Sequence, residues 1–138
     1  MDFSEVIGQK EMKQRLLKMA NDKHVPHALL FCGPYGSGKM ALAMSFASYL
    51  LEISSTSPEK AKAMLKKWEH PDLHFTYPTI KLPNTSSEFQ PTSNDFAKEW
   101  RKIIMEGAYF DIRRWMDEMG ATTQQAIITA AESDNISR

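Results

Sequence analysis

Cysteine is almost absent from the sequence, and its scarcity excludes several classes of small protein. Cys32 is the single cysteine among 138 residues, so the chain forms no internal disulfide and no zinc module built from several of its own cysteines. An excess of charge of one sign is also lacking, because 17 Lys and Arg balance 17 Asp and Glu. Net charge therefore provides no bulk attraction to nucleic acid or to a membrane, and any DNA contact must be local or made through a partner.

Long hydrophobic runs are missing as well. No apolar stretch approaches the ~18 residues needed to span a bilayer. The N-terminus, Met1–Glu5, has no basic region followed by an apolar one, as a signal peptide would. The cytoplasm is therefore the expected compartment. With 42% hydrophobic and 25% charged residues, the chain is predicted to form one domain with its own core over residues 1–138.

The strongest motif is a glycine-rich turn, Gly33-Pro34-Tyr35-Gly36-Ser37-Gly38-Lys39, followed directly by Met40. An apolar run that favours a buried strand, Ala28–Cys32, precedes it, and an apolar run that favours a buried helix, Met40–Leu51, follows it. Strand, glycine turn and helix are the setting of a phosphate-binding loop. Backbone N–H groups at the glycines, the helix N-terminus and the lysine side chain would together surround an anion.

Met40 departs from this motif at the position that normally carries Ser or Thr, whose hydroxyl holds Mg²⁺. A thioether does not replace that hydroxyl, because Mg²⁺ prefers oxygen ligands. The sequence also offers no aspartate at the end of a short apolar strand, as a Walker-B motif requires. We therefore expect ATP or ADP to be bound weakly or not at all, Mg²⁺ not to be held in the usual way, and hydrolysis to suffer more than binding.

Apolar periodicity and capping signals describe the rest of the chain. Helices are predicted over Gln9–Ala20, after a cap at Thr56 or at Ser57, after the Ser93–Asp95 cap, over Asp111–Met119 and over Ala130–Ile136. Leu73, Phe75 and Tyr77 alternate with polar neighbours, which predicts a half-buried strand. Prolines and small polar residues predict a long exposed loop over residues 79–92, and residues 93–120 are interpreted as a helical insertion in the same domain.

Two further features have a structural and a functional interpretation. Four lysines make a basic side on the helix after Ser57, for which a solvated face is favoured over contact with nucleic acid or a partner; they are Lys60, Lys62, Lys66 and Lys67. The three tryptophans are favoured as core or interface anchors over platforms on which bases stack; they are Trp68, Trp100 and Trp115.

Three segments together resemble a known family. The run Phe3–Gln9 contains Val6-Ile7-Gly8-Gln9, the run His24–Pro34 contains His-Ala-Leu-Leu-Phe before the loop, and His70-Pro71-Asp72 lies downstream. This combination resembles the start of the AAA+ module of bacterial clamp-loader subunits, in particular the delta-prime type of DNA polymerase III. The likeness covers residues 2–80 well and the tail loosely, and it is more specific than the loop alone.

The resemblance implies a fold and a set of site residues. The fold would be α/β, a three-layer αβα P-loop NTPase of the AAA+ type, incomplete in this chain and with extra helices after residue 93. Val6 and Ile7 would lie near an adenine, and Gly33 through Lys39 would surround the phosphates. Relatives usually carry a four-cysteine zinc module within the interval that corresponds to Glu52–Glu69. This interval has no cysteine, so zinc is not expected.

The resemblance also implies a function. The chain would be part of a DNA replication clamp loader, a non-hydrolysing scaffold in the ATP-driven loading of the sliding clamp, with no catalytic activity of its own. Its partners would be gamma/tau-like and delta-like subunits, with the clamp and primer-template DNA reached through the complex. We expect the remaining strands of the sheet beyond Arg138, where a Walker-B strand, intact or degenerate, would decide whether the protein hydrolyses ATP. The alternatives are an active AAA+ ATPase or P-loop kinase, and a nucleotide-responsive binding module outside replication.

Overall fold

A computed structural model describes residues 1–121 and 123–137 of the chain. These residues group into two compact units, Met1–Leu73 and His74–Arg138. The described residues form six helices: α1 (Lys10–Asn21), α2 (Lys39–Ser54), α3 (Pro58–Leu65), α4 (Ala97–Glu106), α5 (Ile112–Glu118) and α6 (Ala130–Ile136), with 3₁₀ turns at Phe3–Glu5 and Ser93–Phe96. Within the described part of the chain, no helix has the length and apolar character needed to cross a membrane.

Helix α2 is the centre of the first unit, as its nearly uninterrupted apolar sequence predicts. It packs against α1, α3 and the Phe3–Glu5 turn. Its buried residues are Ala41, Leu42, Met44, Ser45, Phe46 and Ser48. Helix α1 buries Leu16 and Ala20 against this core. Its Lys10, Arg15 and Lys18 are exposed. α3 begins at Pro58 with Ser57 as its N-cap, which is the second of the two starts that its sequence permits.

The predicted strand Ala28–Cys32 is wrong in detail. The segment forms no β-ladder, and no strand is formed in residues 1–121 or 123–137. Leu30 is 88% exposed and Cys32 is exposed rather than buried. A strand exists only through hydrogen bonds to a neighbouring strand, and the described residues provide no such neighbour here. The layered α/β arrangement is therefore not confirmed by the described residues.

An aromatic cluster forms the core of the second unit. The ring of Trp115 lies edge-on to the rings of Trp100 and Tyr77, each 5.1 Å away between centroids. Tyr77 also stacks on Trp100 at 4.2 Å. Trp100 and Trp115 project from α4 and α5, which pack against each other. The interpretation of these two tryptophans as core anchors is confirmed, because both are buried.

Within the second unit, two segments outside the helices pair through an isolated bridge. Thr79 and Ile127 form an isolated antiparallel bridge, in which Thr79 N donates to Ile127 O at 2.8 Å and Ile127 N donates to Thr79 O at 3.0 Å. Burial alternates before this bridge, since Phe75 and Tyr77 are more buried than His74 and Thr76. The predicted alternation is thus present without the predicted strand.

A buried carboxylate connects the start of α6 to the 3₁₀ turn Ser93–Phe96 that precedes α4. Glu132 is 3% exposed, and its Oε2 accepts a hydrogen bond from the Ser93 backbone N–H at 2.7 Å. The Ser93 hydroxyl donates to Glu132 Oε1. Burial alone would raise the pKa of Glu132, but hydrogen bonds from Ser93, Asn135 and Thr76 together outweigh it, and the pKa is lowered below 4.5.

Replacing Glu132 with glutamine is expected to destabilise the second unit by about 1–3 kcal/mol at pH 7, because the Ser93 donors lose their charged acceptor. A lowered folded-state pKa means that this contribution is complete above pH 4.5 and is lost as the pH falls through the folded-state pKa. The difference in unfolding free energy between wild type and Glu132→Gln should therefore shrink on acidification. Urea unfolding at pH 7 and at low pH measures it. Asp134→Asn, an exposed change on the same helix, is the control, and an unchanged difference at both pH values would contradict this account.

Candidate phosphate-binding loop

The glycine-rich turn forms a loop that leads directly into α2. Gly36 and Gly38 adopt positive φ angles of 75° and 79°, which residues with a Cβ adopt only with strain. A Cβ placed on Gly33 would lie 2.9 Å from the Ser37 hydroxyl, so this position is closed to larger residues unless Ser37 moves. Gly36 and Gly38 are therefore required by the path of the loop itself, whereas Gly33 is restricted by the Ser37 side chain.

The side chain of Lys39 turns back onto the loop. Its Nζ donates hydrogen bonds to Gly33 O at 2.8 Å and to Pro34 O at 2.7 Å. A lysine ammonium has three donors, so two of them hold the two ends of the turn together and one remains for a ligand. The cation is thus fixed beside the loop rather than extended into solvent.

The N-terminus of α2 provides the second positive element of the site. The helix is 16 residues long, begins at Lys39, has Gly38 as its N-cap without a side-chain cap, and carries no acidic residue in its first turn. Its first backbone N–H groups therefore keep their capacity to bind an anion, and the helix dipole favours one. Tyr35 lies exposed at the tip of the loop.

The residues present do not fit a magnesium ion at the usual position. Met40 occupies the first turn of α2 and offers sulfur where the motif normally offers a hydroxyl oxygen. Among residues 1–121 and 123–137, no group of three His, Cys, Asp or Glu side chains could hold a metal ion. Lys39 and the backbone N–H groups are accordingly the anion-binding groups that the site offers.

The two residues expected near an adenine differ in their accessibility. Val6 is buried in the first unit, whereas Ile7 is 77% exposed. Lys13 Nζ donates to the carbonyl of Val6, which fixes the backbone at this point. Only Ile7 of the pair therefore offers an accessible side chain to a ligand.

Gln9 is a site residue that the sequence alone did not single out. Its side-chain Nε2 donates to the carbonyl of Ser37 at 2.8 Å. Gly8 and Gln9 have consecutive positive φ angles of 63° and 56°, and this bend precedes α1. The available signal was the position of Gln9 in the Ile-Gly-Gln segment, but nothing in the local pattern indicates contact with a loop 28 residues away.

A cavity of about 450 Å³ lies between α1 and the loop. Its volume is within the range of small-molecule sites. One part of its lining is apolar and comes from α1 and from the segment that precedes the loop; it includes Met12, Leu16 and Leu30. The other part comes from the loop and the start of α2; it includes Gly33, Ser37 and Lys39. The site therefore combines an apolar wall with a cation and a turn that exposes backbone donors.

Comparison with known sequences decides the family. The sequence model of the family described as "DNA polymerase III, delta subunit" matches residues 8–135, which include Gln9, the loop and most of each unit. The chain belongs to this delta-subunit family. Its members are clamp-loader-type AAA+ domains, so the family carries the P-loop fold that the loop and α2 represent here. No solved structure matches the chain significantly.

The curated relatives to which this member of the delta-subunit family is similar include subunits of replication factor C. It is 38% identical over 67 residues to replication factor C subunit 3 of Arabidopsis thaliana, covering 49% of this chain and 18% of that protein. It is 36% identical over 63 residues to the replication factor C small subunit of Sulfolobus acidocaldarius, covering 39% and 19%. The small subunit of Archaeoglobus fulgidus is 51% identical over 45 residues, covering 33% and 14%. The chain thus spans less than a fifth of the length of these relatives.

Proposed function

We propose that the chain belongs to a clamp-loader subunit of the delta-prime type that acts in DNA replication in the cytoplasm. In this proposal its loop holds the phosphates of ATP or ADP without turning the nucleotide over. The observation that supports it most is the combination, in a chain of this family, of a formed phosphate loop with Lys39 in place and Met40 directly after it.

Binding would rest on three groups that the first unit supplies. Lys39 offers an ammonium that is already held at the loop, and α2 offers its first N–H groups and the positive end of its dipole. The residues from Gly33 to Gly38 offer a turn in which backbone N–H groups face an anion. Ile7, with its exposed side chain, would contribute apolar contact to the base. Each of these interactions is made with bound nucleotide and requires no reaction.

Turnover would need groups that this site does not supply. In active P-loop proteins a metal ion bridges the outer phosphates and a Ser or Thr of the loop helps to hold it. Met40 has no oxygen for that task. Nucleotide would then act as a structural ligand, and the contribution of this subunit to clamp loading would be to present a fixed surface to neighbours that hydrolyse ATP. Those neighbours are proposed to be gamma/tau-like and delta-like subunits, with the sliding clamp and primer-template DNA reached through the assembly.

The test uses the full-length protein with Mg²⁺ and ATP, alone and with candidate partner subunits. We expect co-purification with gamma/tau-like and delta-like subunits, and ATP turnover by the isolated protein that does not exceed the background of a Lys39→Ala variant. Turnover at the level of active AAA+ ATPases, or phosphate transfer to a second substrate, abolished by Lys39→Ala, would overturn the scaffold role in favour of an active enzyme. Failure to co-purify would favour a nucleotide-responsive module outside replication.

A further inference from the structure

The hydrogen bond between Gln9 and Ser37 joins two parts of the first unit that are distant in sequence. Gln9 is the N-cap of α1, and its own carbonyl accepts from Lys13 N at 2.9 Å. Its side chain leaves this helix start and donates to the Ser37 carbonyl at 2.8 Å. Because α1 packs on α2, the donor is carried by a helix that is fixed to the same core as the loop.

This contact constrains a backbone donor on the opposite side of the same peptide. The peptide that joins Ser37 to Gly38 is planar and trans, so its C=O and N–H point in opposite directions. When Gln9 holds the carbonyl of Ser37 on one side, the N–H of Gly38 is directed to the other side. Among the described residues no protein acceptor receives this N–H. An unpaired backbone donor next to Lys39 is what an anion requires.

We infer that Gln9 is a positioning residue that orients the Gly38 amide of the loop toward a bound phosphate. The inference rests on the proposed function, because it assumes that the loop holds phosphate. Gln9 itself touches the loop carbonyl and not the ligand. Its contribution is to reduce the number of peptide orientations that binding must otherwise select, which raises affinity without adding a contact to the anion.

The experiment compares the wild-type chain with Gln9→Met and Gln14→Met, using tripolyphosphate and ATP as separate probes in calorimetric titrations. Met has nearly the length of Gln and no donor. Gln14 is an exposed residue of α1, so Gln14→Met is the matched control. We expect Gln9→Met to bind both probes roughly fivefold to tenfold more weakly, the usual effect of one lost hydrogen bond, and Gln14→Met to bind as wild type does.

A second variant and an NMR measurement distinguish a lost orientation of the Gly38 amide from a general loss of stability. Gln9→Asn retains an amide and tolerates positive φ, but it is one methylene too short to reach Ser37, so the same loss is expected. The ¹H–¹⁵N signal of Gly38 in the ligand-free chain should shift in both Gln9 variants and stay in place in Gln14→Met. A merely structural role for Gln9 would lower the melting temperature without this selective shift.

The outcomes separate the inference from the proposed function. If wild type binds tripolyphosphate and both Gln9 variants bind it equally well, the positioning role is wrong while phosphate binding by the loop stands. If wild type binds neither probe, phosphate binding itself is wrong and the positioning role is overturned with it. A loss confined to the Gln9 variants, accompanied by the shifted Gly38 signal, supports both.

Discussion

Replacing Trp115 with alanine is expected to destabilise the second unit by about 3–5 kcal/mol, the range for truncating a large buried aromatic residue. The side chain is 1% exposed, and its Nε1 donates to Pro78 O at 2.7 Å. Its ring contacts the rings of Trp100 and Tyr77. Truncation removes these contacts, leaves a cavity and deprives the Pro78 carbonyl of its donor. Because a domain of this size has only ~5–15 kcal/mol of stability, the unit should lose its cooperative unfolding transition near physiological temperature.

Circular dichroism melting measures this loss, with two comparisons that separate its causes. Trp115→Phe keeps most of the ring volume and removes the hydrogen bond to Pro78, so it should cost less than Trp115→Ala. Arg113→Ala changes an exposed neighbour on α5 and should stay within about 0.5 kcal/mol of wild type. A Trp115→Ala variant that melts like Arg113→Ala would show that the aromatic cluster does not hold the unit together.

Lys39→Ala is expected to weaken binding of ATP and of tripolyphosphate by roughly 10- to 100-fold, because a hydrogen bond to a charged group is worth ~1.5–3 kcal/mol. The variant loses the ammonium that would meet the phosphates, and it also frees the Gly33 and Pro34 carbonyls that Nζ holds. Both changes reduce affinity, the first by removing charge and the second by loosening the loop. Calorimetric titration of each probe measures the effect.

Two control variants separate the effect of the positive charge at residue 39 from the effect of its position in the loop. Lys39→Arg keeps a cation but alters its geometry, so an intermediate affinity is expected. Lys62→Ala removes an exposed lysine from α3 in the same unit and should leave both affinities unchanged. Equal weakening by Lys62→Ala and Lys39→Ala would mean that the chain attracts polyphosphate through general charge and not through the loop.

The helices could be predicted from the sequence because their signals are local. The spacing of apolar residues and the capping residues fall within one or two turns of each helix end. Helix α6 has the predicted bounds. Helix α5 lies within the predicted Asp111–Met119, and Asp111 is its N-cap, whose side chain accepts from Arg114 N. The glycine-rich turn is local in the same sense, since its glycines and lysine lie within seven consecutive residues, Gly33–Lys39.

The remaining features depend on partners that are far away in sequence. The apolar run Ala28–Cys32 favours a strand, but its conformation depends on a neighbouring strand that the run does not specify. Glu132 is a carboxylate in a short helix, where exposure is the general expectation, and its burial depends on Ser93, which is 39 residues away. The contact between Gln9 and Ser37 is of the same kind. Site residues of this type are found only when the fold brings both partners together.

The distribution of the tryptophans gives each unit its own optical signal. Trp68 belongs to the first unit, while Trp100 and Trp115 belong to the second, where their rings lie 5.1 Å apart at 88°. Two indoles at this distance couple electronically, and near-ultraviolet circular dichroism reports such fixed packing and disappears when it is lost. With Trp68 replaced by phenylalanine, the tryptophan fluorescence, excited selectively above the tyrosine absorption band, would arise from the second unit alone. Loosening of that unit could then be followed while nucleotide is titrated onto the first.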